Sequence, residues 1–110
     1  MKFYISGPMT GIKDFNYPEF IKAEKSLIDT NIDVFSPHNA PKLDSWQEYM
    51  RYDIAELTKC THIMMLDGWR KSKGAKIEHR IARDLGMVIV YNKKRPYVWK
   101  GAYIGQGEKG

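Results

Sequence analysis

Cysteine is almost missing from this chain. Cys60 is the only one among 110 residues, which excludes an intrachain disulfide and a cysteine-based zinc site and points to a reducing compartment, the cytoplasm. Long apolar runs are missing too: none approaches the roughly 20 residues that span a bilayer, so no membrane association is expected. The first residues, Met1 to Gly7, carry neither the apolar stretch nor the small-residue cleavage site of a secretory leader. The turn Ser6-Gly7-Pro8-Met9-Thr10-Gly11 fits neither the GxGxxG nor the GxxxxGK[ST] pattern, so it supports no Rossmann dinucleotide site and no ATP-type phosphate loop. His38, His62 and His79 show no ligand spacing, and neither Ser6 nor Cys60 has an obvious histidine partner. Metal, cofactor and acyl-transfer chemistry are therefore not expected.

The composition that remains is ordinary globular usage, 43% apolar, 13% aromatic and 28% charged, enough for one compact domain. The formal charge of +5 is unevenly spread: residues 1–92 carry +1 and residues 93–110 carry +4. A nearly neutral body argues against nucleic acid as the main partner and leaves room for attraction to a small phosphorylated anion. Four β-rich apolar runs, Phe3–Ser6, Ile32–Phe35, His62–Leu66 and Met87–Tyr91, alternate with helical patterns near 18–30, 44–59 and 74–85. Asn16, Asp44 or Ser45, and Gly86 offer caps, and Phe20, Ala23, Leu27 and Ile28 share a face of the first helix. Short links between alternating strands and helices predict an α/β fold: a single three-layer domain over residues 1–92, Rossmann- or flavodoxin-like, with a parallel sheet of four to five strands. Residues 93–110, with Tyr97, Trp99 and Tyr103, read as a loose tail or as a basic aromatic arm ordered against a second copy.

Two carboxylates break the amphipathic pattern. At 100° per residue, Glu78 falls among Ala75, Ile77, Ile81, Ala82 and Leu85, away from the charged arc of its helix. Asp53 falls among Trp46, Tyr49, Met50, Ile54, Leu57 and Cys60 on the helix before. Burying an unpartnered carboxylate costs several kcal/mol. Either these two are bridged at the core edge, for instance to Arg51 or Arg80, or they form a functional site. The loop Gly68-Trp69-Arg70-Lys71-Ser72-Lys73-Gly74-Ala75 follows the third strand, at the edge where open α/β sheets bind ligands. Its amides, the Ser72 hydroxyl and nearby lysines suit an anion, and Ser72 is equally well placed as a plain helix cap.

Tyr4-Ile5-Ser6-Gly7-Pro8-Met9-Thr10-Gly11, Met50-Arg51-Tyr52-Asp53, and Gly68-Trp69 followed by Ser72-Lys73-Gly74-Ala75-Lys76-Ile77-Glu78 and Ala82 together resemble the nucleoside 2-deoxyribosyltransferase superfamily over about residues 3–91. The likeness is greatest to its small, often phage-encoded, DUF4406-like branch. The resemblance implies Glu78 as nucleophile, with Asp53 and Tyr4 as its catalytic companions. It further implies substrate contacts from Ser6, Gly7, Pro8, Thr10, Gly11, Gly68, Trp69, Ser72, Gly74 and Ala75. Transferases of free nucleosides carry an aspartate six positions before the nucleophile, whereas the 5′-monophosphate N-glycosidases carry a serine, as this chain does in Ser72. A hydroxyl can donate to a phosphate that an aspartate would repel. The implied chemistry is double displacement at the anomeric carbon, with Asp53 serving the leaving base. The helix start near Glu78 is expected to favour its ionised form.

The superfamily also completes its site with a residue from a neighbouring subunit's C-terminal region, for which Asn92 is the nearest counterpart. A homodimer or larger homo-oligomer is thus expected, with a nucleotide as small-molecule partner and the cytoplasm, a host's if phage-encoded, as location. Two other readings stay open: a non-catalytic module that binds or sequesters nucleotides, and a structural protein with two bridged carboxylates.

Overall fold

Strands and helices alternate along the chain as the apolar runs predict. The computed structural model describes residues 1–92, in which β1 (Lys2–Ser6), α1 (Tyr17–Ile28), β2 (Asp33–Phe35), α2 (Trp46–Leu57), β3 (His62–Leu66), α3 (Lys73–Asp84) and β4 (Val88–Asn92) follow one another. Short 3₁₀ turns precede α1, follow β2 and precede α3. The arm expected over 93–110 lies outside the described residues. No helix among the described residues is long and apolar enough to cross a membrane.

The four strands form one parallel sheet in the order β2-β1-β3-β4. From β1 the chain steps outward to β2, then returns past β1 to β3. Right-handed crossovers in opposite directions place their helices on opposite faces. On one face α1 sets Phe20, Ala23 and Leu27 against Phe3, Ile5 and Leu66. On the other, Leu57, Ala75 and Ala82 of α2 and α3 cover Tyr4, Ile63 and Met65. The result is the expected three-layer α/β architecture. The connections diverge at the carboxyl ends of β1 and β3, which makes that edge the ligand-binding switch point of a doubly wound sheet.

Local chemistry explains the ends of each helix. Ser45 caps α2 by accepting from the Glu48 amide at 3.1 Å, which settles the choice between Asp44 and Ser45. Gly86, at φ 73°, closes α3: its amide bonds the Arg83 carbonyl and the Met87 amide bonds the Ala82 carbonyl, a Schellman end. Asn16 departs from expectation. It stands before α1 but at φ 62° its side chain makes no capping bond, because Asp14, Phe15 and Asn16 form a short left-handed turn. Ile28 and Leu85, counted with the apolar arcs, are 53% and 58% exposed, since each sits at the end of its helix.

Candidate active site

Strand alternation is what builds the site. Successive side chains of a strand point to opposite faces, so Tyr4 and Ser6 project together towards α2 and α3 while Phe3 and Ile5 face α1. Both hydroxyl residues are fully buried. The Tyr4 hydroxyl donates to Oε2 of Glu78 at 2.7 Å, and the Ser6 hydroxyl donates to Oε1 at 2.6 Å. Glu78 reaches them from the second turn of α3 and is itself 5% exposed. Asp53 enters from α2, is 7% exposed, and leaves its Oδ1 buried with no hydrogen-bond partner among the described residues. Among the described residues neither carboxylate has a salt bridge: Arg80 pairs with Asp84 at the surface, and Arg51 is exposed.

The electrostatics follow from that burial. Removal from water pushes Glu78 up to about 7, and the hydrogen bonds from Ser6 and Tyr4 pull in the opposite direction without prevailing. This corrects the expectation that the helix start would dominate. Glu78 is the sixth residue of α3, past the first turn where the helix field is felt, and desolvation is the larger effect. Asp53 is also pushed up to about 7, first by burial, then by the negative charge of Glu78 and of Glu56. Tyr4 is held well above its usual range by burial and by Glu78, so it remains a hydrogen-bond donor.

The glycines of the site turn out to set distances. A Cβ on Gly7 would sit 2.8 Å from Leu66 Cβ, so the ends of β1 and β3 approach closely only because it is absent. Gly68, at φ 85°, turns the chain out of β3 beside the buried Pro8. A Cβ on Gly74 would lie 3.1 Å from the Met50 sulfur, where α3 crosses α2. Ala75 is buried in the core, and its amide donates to the Ser72 hydroxyl at 3.1 Å. Ser72 is thus a helix cap, and its own O–H remains able to donate outward. Thr10 and Gly11 lie exposed on the β1 loop.

Trp69 is half-buried and stacks on His79 with ring centroids 4.2 Å apart, while the Arg70 guanidinium lies 5.0 Å from the indole centroid. His79 Nε2 meets the Tyr91 hydroxyl at 2.9 Å, and burial beside Arg83 and Arg70 lowers the histidine's proton affinity. The sequence singles out neither His79 nor Tyr91, and His79 enters there only as one of three histidines without ligand spacing. The Ser36 hydroxyl meets His38 Nδ1 at 2.6 Å, and His38 Nε2 faces Glu24 at 3.4 Å. Ser36 is 1% exposed, so this trio ties the end of β2 to α1 and presents no nucleophile. Only the two-residue spacing of Ser36 and His38 hinted at it. Among the described residues no group of three or more His, Cys, Asp or Glu side chains is arranged to hold a metal ion.

A family model described as "Domain of unknown function (DUF4406)" matches residues 1–91. Among solved structures, the fold is similar to a 2-deoxyribosyltransferase from the psychrotolerant bacterium Bacillus psychrosaccharolyticus, with a TM-score of 0.68 and 17% sequence identity. The likeness covers 91% of this chain and 77% of that one, and at such identity it is a likeness of fold. No curated protein matches the sequence.

Proposed function

This chain belongs to the DUF4406 family, and we propose that it is an enzyme that breaks the N-glycosidic bond of a nucleoside 5′-monophosphate, a deoxyribonucleotide in the first instance. One observation carries the reading: Glu78 is buried with a hydroxyl donor on each oxygen, while Asp53 is buried nearby with an oxygen that meets no donor among the described residues. The two carboxylates share a region where two negative charges are costly, and their surroundings differ. Donors favour charge on Glu78, and the buried Oδ1 of Asp53 meets none among the described residues, so in the singly protonated pair the proton belongs on Asp53.

That distribution is what a double displacement requires. The Glu78 carboxylate attacks the anomeric carbon as the bond to the base nitrogen breaks, and its electron pair leaves with the base. Asp53 supplies the proton that neutralises the departing base. Water, or a second base, then attacks the same carbon from the vacated side and gives up a proton to the Asp53 carboxylate, while Glu78 leaves as a carboxylate, which restores the starting pair. The sugar keeps its configuration. At the rim, the outward O–H of Ser72 and the first amides of α3 suit the 5′-phosphate.

The test is to incubate the full chain with a panel of nucleosides and 5′-monophosphates and to follow free base by chromatography. Release from monophosphates, reduced at least about 10,000-fold in Glu78→Gln, is the expected result. Binding without release by the native chain would point instead to a module that sequesters nucleotides, and neither binding nor release to a structural role.

A further inference from the structure

We infer that Ser6 is a positioning residue, whose hydroxyl fixes the rotation of the Glu78 carboxylate and favours its charged form, rather than a residue that contacts substrate. The inference rests on the proposed role of Glu78 for its bearing on catalysis, but not for its geometry. Ser6 lies at the last position of β1, is fully buried, and points its hydroxyl at Oε1 from 2.6 Å. Tyr4, two residues earlier on the same strand face, holds Oε2 from 2.7 Å. One donor would leave the carboxylate free to turn about its terminal bond. Two donors on one rigid strand, one for each oxygen, fix its plane and leave the remaining lone pairs to face the reacting carbon.

The placement of Ser6 is itself pinned. Its backbone neighbour Gly7 packs against Leu66 with no space for a Cβ, and β1 and β3 are in register through Ser6 and Met65. A buried hydroxyl is costly unless it is hydrogen-bonded, and the bond that satisfies this one is to Glu78. The oxygen is there for Glu78. Among the described residues the other titratable groups facing that carboxylate are Tyr4 from β1 and Asp53 from α2, and neither can substitute for Ser6. The Tyr4 hydroxyl already serves Oε2, and Asp53 opposes the charge on Glu78.

The measurement is a carbon-13 titration of the Glu78 side-chain carboxyl by NMR in the full chain, compared between native protein, Ser6→Ala and Ser6→Thr. Loss of a hydrogen bond to the charged form is expected to raise the titration midpoint by about one pH unit in Ser6→Ala. In Ser6→Thr, which keeps a hydroxyl, it should return to the native value. An unmoved midpoint in Ser6→Ala overturns the inference, and so does an equal rise in both variants, which would make packing the cause. Ser6→Cys, close in shape with a far weaker donor, gives the same comparison if Ser6→Ala does not fold. The titration needs no turnover, so failure of the proposed reaction leaves it fully decisive. Where base release is observed, the acidic limb of its pH profile should move upward with the titration midpoint while KM stays within about twofold.

Discussion

On the α1 side of the sheet, Phe3 and Ile5 of β1 meet Phe20, Ala23, Leu27 and Leu66 in an apolar cluster. On the opposite side the same strand presents Tyr4 and Ser6, and α2 and α3 answer with Asp53 and Glu78 amid Leu57, Ile63, Met65, Ala75 and Ala82. One strand therefore serves two kinds of interior, separated only by the alternation of its side chains. The first is what holds the fold together. The second gives up some stability to keep two carboxylates out of water, which is the usual condition of a site prepared for chemistry.

The contrast can be broken from the α1 side. Phe20 is fully buried there, and Phe20→Ala should cost about 3–5 kcal/mol of unfolding free energy in a urea titration. In the fraction that stays folded, the Glu78 titration should be unchanged, because the two hydroxyls that hold it, from Tyr4 and Ser6, lie on its own face of the sheet. A shifted midpoint would mean that the two interiors are not independent.

A smaller effect is expected at the rim of the second interior. Ser72→Asp keeps a residue able to cap α3 but places a negative charge where the 5′-phosphate would lie. It should weaken monophosphates by about 30- to 1,000-fold, roughly 2–4 kcal/mol, relative to the matching nucleosides in calorimetric titrations. Equal losses for both ligands would leave Ser72 with the cap alone.

The smallest effect sharpens the claim of stability given up. Asp53 holds its proton to about pH 7 in the folded chain, against a usual value of 3.8, so the folded state binds the extra proton across that window. Stability from this group is therefore full below about pH 4 and falls as pH rises towards 7. Asp53→Asn should flatten that fall and raise stability at pH 8 by about 1–2 kcal/mol, with little change at pH 4, in urea unfolding followed across pH. A mutant no more stable than native protein at pH 8 would show that Asp53 is better solvated than its burial implies.

The fold and the two carboxylates were legible in the sequence because both are written in periodicity. Strand runs, helix arcs and the misplaced Asp53 and Glu78 all follow from counting residues around an axis. What surrounds the carboxylates was not legible in the same way. Tyr4 and Ser6 lie more than seventy residues from Glu78 in the chain, and only the sheet brings them to it. Their two-residue spacing states that they share a face, not which one. Gly7 and Gly74, expected from the resemblance to contact substrate, also leave little room for a side chain against Leu66 and Met50, a close approach that spacing along the chain does not state. The left-handed turn Asp14-Phe15-Asn16 carries a signal at Asp and Asn, which tolerate positive φ, and none at Phe15. The direction of the Glu78 shift was missed because burial, a property of the folded chain, outweighs the helix start, a property of the segment.

Gly74 has a consequence for how this scaffold can vary. It stands one helical turn before Glu78 on α3, and it abuts Met50, which stands three residues before Asp53 on α2. The place where the two helices meet therefore lies within about one turn of both carboxylates. A Cβ at position 74 would press first on the Met50 thioether, so the packing beside the two groups is adjusted at the crossing without touching either of them. Substitutions at Met50, whose flexible thioether fills the remaining gap, are the finer adjustment of the same packing.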